Sequence, residues 1–132
     1  MSFVFAAVSL SLISTASFAS QQKLLSTFIK SWNAKNTDGL MSLMDKTASK
    51  TYFNKSTVSR SLDYYHTRCG KSLGKREVKS FKESSIYYET QFEKSRCFVK
   101  LEVTKDGNIQ EFLVRPIKEI SLESKVFKTA LL

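Results

Sequence analysis

Residues 96–116, RCFVKLEVTKDGNIQEFLVRP, constrain the fold more than any other stretch of the chain. Cys97, Val99, Leu101 and Val103 fall at every second position, with Lys100 and Glu102 between them, which is the period of a strand with one buried face. Asp106-Gly107 follows inside Lys105-Asp106-Gly107-Asn108, and a tight reversal needs residues that tolerate positive φ there. Ile109 to Arg115 is again apolar-rich, and Pro116, lacking an N–H, closes the second strand. The stretch therefore predicts an antiparallel hairpin that must be built into a larger sheet.

The preceding residues supply more sheet. Ile86, Tyr88, Thr90 and Phe92 alternate with Tyr87, Glu89 and Gln91, which predicts a strand over 85–92. GKREVKSF, residues 74–81, is a charge-rich strand suited to an edge, where lysines discourage pairing with another chain. Before residue 74 the period is helical. Leu25, Phe28, Ile29 and Trp32 recur at i, i+3, i+4 and i+7, with Lys23, Lys30 and Ser31 expected to face out. Thr37 is read as the cap of a short helix carrying Leu40, Leu43 and Met44. A third helix, from about Thr57 to Cys69, places Val58, Leu62, Tyr65 and Cys69 on one face, and Gly70 follows as its left-handed terminator. Residues 45–56 read as a loop with Tyr52 and Phe53 as a buried plug; of residues 117–132, Ile117, Ile120 and Leu122 suit a closing strand or turn and 121–132 a terminal helix, with a loosely ordered tail as the alternative. Helices followed by a run of antiparallel strands is the α+β class.

Residues 1–19, MSFVFAAVSLSLISTASFA, carry no charge and hold an apolar run from Phe3 to Ile13. Ser17 and Ala19 fit the small-residue positions of a cleavage site, so the segment reads as a secretory signal peptide. Cleavage after Ala19 leaves residues 20–132 as a single domain, with Ser20 as the cap of the first helix and no stable membrane insertion. A secreted or periplasmic destination is oxidising, and the chain has two cysteines. Cys69 ends the inward stripe of a helix, and Cys97 lies on the apolar face of a strand. A Cys69–Cys97 bridge is expected, with two free buried thiols as the competing reading.

Lysine and arginine number 21 against 12 aspartate and glutamate, a net charge of +9. Such a surface attracts anions, and Lys71, Lys75, Arg76, Lys79 and Lys82 form its one modest cluster. Charge gives the sign of a partner and not its identity. Basic residues do not interleave with aromatics as in a stacking platform, so nucleic acid is not expected. One histidine and two cysteines without paired spacing imply no metal site, and no cofactor motif is present.

FIKSWNAKNTDGLMSLMD, YYHTRCGKSLG and VTKDGNIQEFLVRP appear in the order helix-break-helix, helix-glycine and terminal hairpin. On these motifs the chain resembles the nuclear transport factor 2-like superfamily, and most closely the bacterial exported family designated domain of unknown function 3887. The resemblance implies a cone: three N-terminal helices packed on a curved antiparallel sheet of about four strands. It also implies a site in the mouth of that cone, where Asp63, Tyr64, Tyr65 and His66 of the third helix and Tyr87 and Tyr88 of the sheet match. Tyr65, Tyr88 and Trp32 are the aromatics expected to touch a ligand. Asp63 and His66, spaced i and i+3, can share a helix face and form a carboxylate-oriented base.

Three functions are compatible with these residues. The first is an exported, non-catalytic module binding an anionic or aromatic ligand or a partner protein, as monomer or homodimer. The second is a small hydrolase or isomerase using Asp63 and His66. The third is a secreted inhibitor or immunity-type protein acting through its basic face.

Overall fold

Alternation and helical stripes combine as expected into an α+β structure. The computed structural model describes residues 2–46 and 54–118. Within them, α1 (Ser2–Asn33), α2 (Thr37–Leu43) and α3 (Lys55–Cys69) precede β1 (Ser72–Phe81), β2 (Ser85–Phe92), β3 (Arg96–Val103) and β4 (Ile109–Pro116). The strands form one antiparallel sheet in the order β1-β2-β3-β4, each paired with its sequence neighbour. The plug residues Tyr52 and Phe53, and the tail from 119 to 132, lie outside the described residues.

The inward faces are those the periodicity selects. Leu25, Phe28 and Trp32 of α1, Leu40 of α2 and Val58 and Leu62 of α3 are buried with Ile86, Tyr88, Phe92, Val99, Leu101 and Val114. Leucine or phenylalanine burial contributes roughly 1.5–3 kcal/mol per side chain, so this shared cluster dominates the cohesion of the two layers. The 104–107 turn closes as expected, with Gly107 at φ +84° and its N–H bonded to the Thr104 carbonyl at 3.0 Å. Phe98 is also buried, on the face of β3 opposite Cys97, where its ring stacks on Tyr87 at 5.7 Å.

In the intact chain α1 runs unbroken from Ser2 through residue 20, and the Ser20 cap concerns only the chain cleaved after Ala19. Four local expectations are corrected. Asn36, not Thr37, caps α2 by accepting from the Gly39 N–H at 3.0 Å. Likewise Asn54 caps α3, accepting from the N–H and hydroxyl of Thr57, so this helix starts two residues before Thr57. Ser31 faces inward, not outward: α2 crosses so closely that a Cβ on Gly39 would lie 2.7 Å from the Ser31 hydroxyl. Gly70 has positive φ, +76°, but its ψ of −155° places it outside the left-handed helical region. A Cβ there would meet Glu93 Cβ at 2.9 Å, so both conformation and space require glycine.

Cys69 and Cys97 form the expected disulfide, with Cα atoms 6.3 Å apart, joining the end of α3 to the start of β3. Among the described residues, no helix is long and apolar enough to cross a membrane.

Candidate functional site

β1 is the strand whose shape makes a site. It carries two irregularities in its register with β2, between Ser72 and Lys75 and between Lys75 and Val78. Gly74 (φ +64°) and Arg76 (φ +52°) supply the unusual backbone, and extra residues of this kind bend a strand and re-aim its side chains. The bulged carbonyls are held from β2 and β3. The buried Thr90 hydroxyl donates to the Lys75 carbonyl at 2.8 Å, and Arg96 Nη2 donates to that of Arg76 at 2.6 Å. Arg96 Nε is in turn bonded to Glu89 Oε2 at 2.9 Å, and Glu89 Oε1 accepts from the Tyr87 hydroxyl. Burial, and then the carboxylate of Glu89, push the Tyr87 phenol up to about 12, which keeps it a neutral donor in this chain of bonds.

Beyond the bulges, Glu77, Lys79 and Phe81 face α1 across a groove of about 290 Å³, together with Tyr88 of β2 and Gln22, Leu25, Ser26 and Ile29 of α1. Leu25, Ile29 and Phe81 supply apolar walls, and Gln22, Ser26, Glu77 and Lys79 supply polar ones. The Tyr88 hydroxyl donates to Glu77 Oε2, Lys79 Nζ lies 3.7 Å from the same oxygen, and the ammonium stands 5.9 Å from the centre of the Tyr88 ring. Burial, followed by the bond to Glu77, raises the Tyr88 pKa above its ordinary value. An apolar cleft with a few convergent polar groups is the usual form of a small-ligand site.

The candidate residues of the third helix lie elsewhere. Asp63 is exposed and paired with Lys35 at 3.1 Å, and no hydrogen bond joins it to His66 among the described residues. The His66 ring instead tilts against Trp32 with centroids 5.3 Å apart, and its Nε2 is buried without a hydrogen-bond partner. Burial, with Lys35 next, lowers the His66 pKa. Trp32 is fully buried and spends its Nε1–H on the Gly70 carbonyl at 2.9 Å, so it is a core residue. Tyr65 packs edge-on against Tyr64 at 5.4 Å and borders a shallow depression with Thr57, Arg60 and Ser61. Of the three aromatics expected at a ligand, only Tyr88 reaches the groove.

A larger depression, about 470 Å³, lies between residues 20–24 of α1 and the β1–β2 and β3–β4 turns. Its backbone groups are satisfied within the turn, where Thr104 N–H bonds to the Asn108 carbonyl and Asn108 N–H to the Thr104 hydroxyl. Among the described residues it has no aromatic wall. For these reasons the smaller groove is the better candidate.

Glu77, Lys79 and Phe81 are the site residues that sequence reasoning missed. Their spacing of two in KREVKSF is the available signal, since it puts all three on the face that β2 presents with Tyr88. No family model, curated protein or solved structure matches this chain. The structure defines its class as α+β, three helices preceding a four-stranded antiparallel sheet among the described residues.

Proposed function

We propose that this protein is an exported, non-catalytic binding module of the nuclear transport factor 2-like kind, nearest to the domain of unknown function 3887 type. In this reading the helices and a curved sheet form a cone, and the ligand lies between α1 and the β1–β2 hairpin. The observation that carries the reading is the meeting of Tyr88, Glu77 and Lys79 in a groove also lined by Leu25, Ile29 and Phe81. Aliphatic Leu25 and Ile29 offer contact area, and the hydroxyl, carboxylate and ammonium orient a polar head. The disulfide and the apolar, uncharged residues 1–19 support export.

Binding fits this geometry better than catalysis. The Asp63 carboxylate is committed to Lys35 and the His66 imidazole to Trp32, so neither orients the other as a base requires. The test is a groove-filling variant. Ser26 is exposed on the wall from α1, and Ser26→Phe places a ring across the groove without disturbing the core. Native mass spectrometry of protein recovered from its own compartment should show a small-molecule adduct that Ser26→Phe lacks. An adduct retained by Ser26→Phe would place binding elsewhere.

A further inference from the structure

A second surface lies on α3 and shares no lining residue with the groove. Thr57, Arg60, Ser61, Tyr64 and Tyr65 line a shallow depression of about 260 Å³, and Arg68 continues the same stripe. Spacings of three and four residues put these side chains on one helix face, while Val58, Leu62 and Cys69 enter the core. Tyr64 is 57% exposed, yet its ring is fixed from two sides. Tyr65 meets it edge-on with centroids 5.4 Å apart, and the Arg68 guanidinium carbon stands 5.0 Å from its centre. Tyr65 is in turn packed against the core cluster. An exposed ring already held in one position loses little freedom on binding, and tyrosine and arginine often carry the energy of protein–protein contacts.

The charge of the stripe has one sign. Among the described residues no carboxylate lines the depression. Asp63, the single acidic residue of α3, and Asp38 of α2 are paired with Lys35 and Lys55, each at 3.1 Å. The stretch TASKTYF before α3, residues 47–53, adds a lysine and no acid to the sequence. Arg60 is exposed and makes no ion pair among the described residues.

We infer that this stripe docks an acidic segment of a partner protein, with one carboxylate bonded to Arg60 and an apolar side chain of the segment laid against Tyr64. An arginine fork holds a single carboxylate through two parallel bonds. Anionic lipid surfaces are held by clusters of roughly four to eight cations, and this stripe offers Arg60 and Arg68 alone. The docking surface is independent of the groove.

The disulfide-bonded protein provides the test, followed by two-dimensional NMR. It is titrated with an acetylated pentapeptide of four glutamates around a central phenylalanine, and with the same peptide carrying serine at the centre. Shifts should fall on Arg60, Ser61, Tyr64 and Tyr65, and the phenylalanine peptide should bind roughly threefold or more tightly than the serine one. Arg60→Glu should weaken binding about tenfold or more, while Lys100→Glu, an equal change of charge on β3, should stay within about twofold of wild type. Equal losses in the two variants would mean attraction by net charge alone and overturn the inference, as would equal affinity for the two peptides. Tighter binding of the same residues to vesicles of phosphatidylglycerol would overturn it in favour of a lipid surface. Absence of shifts on α3, with or without shifts on Ile29, Phe81 and Tyr88, overturns it and leaves the groove as a site.

Discussion

The indole of Trp32 and the carbonyl of Gly70 are joined by a buried hydrogen bond of 2.9 Å across 38 residues of chain. This bond fastens α1 to the residue that ends α3 and follows Cys69, so the longest helix, the disulfide and the sheet entry meet at one point. Asn33 extends the junction: its side chain accepts from the Ser72 N–H at 2.8 Å and donates to the Ser72 carbonyl. The α1 wall of the groove is positioned by this junction at one end and by Gln21 at the other.

Trp32→Phe keeps most of the apolar contact but strands the Gly70 carbonyl in the core. Loss of the bond and the small cavity left behind should cost about 2 kcal/mol or more. In urea the unfolding midpoint should fall with the slope unchanged, since the surface exposed on unfolding hardly differs.

Reduction of Cys69–Cys97 should lower stability by about 3–4 kcal/mol, the chain-entropy estimate for a loop of this size. Thiol titration of the exported protein under denaturing conditions should give no free thiol without reductant and two with it. Two reactive thiols before reduction would exclude the bridge in the natural protein.

His66 makes stability depend on pH. Its folded pKa is lowered, by burial first and by Lys35 next, while the unfolded chain titrates near 6.5. The unfolded state therefore binds the proton first, and stability falls as pH drops through 6.5 until it reaches the depressed folded value. The charge of Glu93 opposes the shift, and that of Lys94 adds to it. Between about pH 7.5 and 5.5 the urea midpoint of wild type should fall further than that of His66→Gln.

The bulge clamp predicts two opposite effects. Arg76 holds φ at +52°, where a side chain is strained, and Arg76→Gly should be neutral or stabilising by up to about 1 kcal/mol. Arg96→Met removes the donor to the Arg76 carbonyl and the partner of Glu89, and should destabilise by about 1–2 kcal/mol. Thermal melts of both variants check the signs.

Period-two alternation made β2 and β3 readable, because burial of one face and register are tied together in a sheet. Ile86, Tyr88, Thr90 and Phe92 are all buried, as are Cys97, Val99, Leu101 and Val103. Adjacent Asn and Thr both cap helices well, so Asn36 could not be separated from Thr37 by residue type, and the early start of α3 follows from the Asn54 cap three residues before Thr57. Ser31 turned inward because of Gly39, eight residues away, a pairing of small residues that helical period does not encode. The groove escaped for a similar reason. Glu77 and Lys79 look like solvated edge charges until the bulges at Gly74 and Arg76, anchored by Thr90 and Arg96, turn them toward Tyr88. Spacing on α3 suggested a pairing of Asp63 with His66, yet Lys35 and Trp32 from the neighbouring helix end claimed one each.

The most direct test of the groove as the binding site is chemical-shift mapping of the disulfide-bonded protein against a mixture of small aryl and alkyl carboxylates. Shifts concentrated on Ile29, Lys79, Phe81 and Tyr88, and lost in Lys79→Glu, are the predicted result. Shifts confined to Tyr87 and Lys100 on the opposite face of the sheet, or to the 104–107 turn, would contradict it.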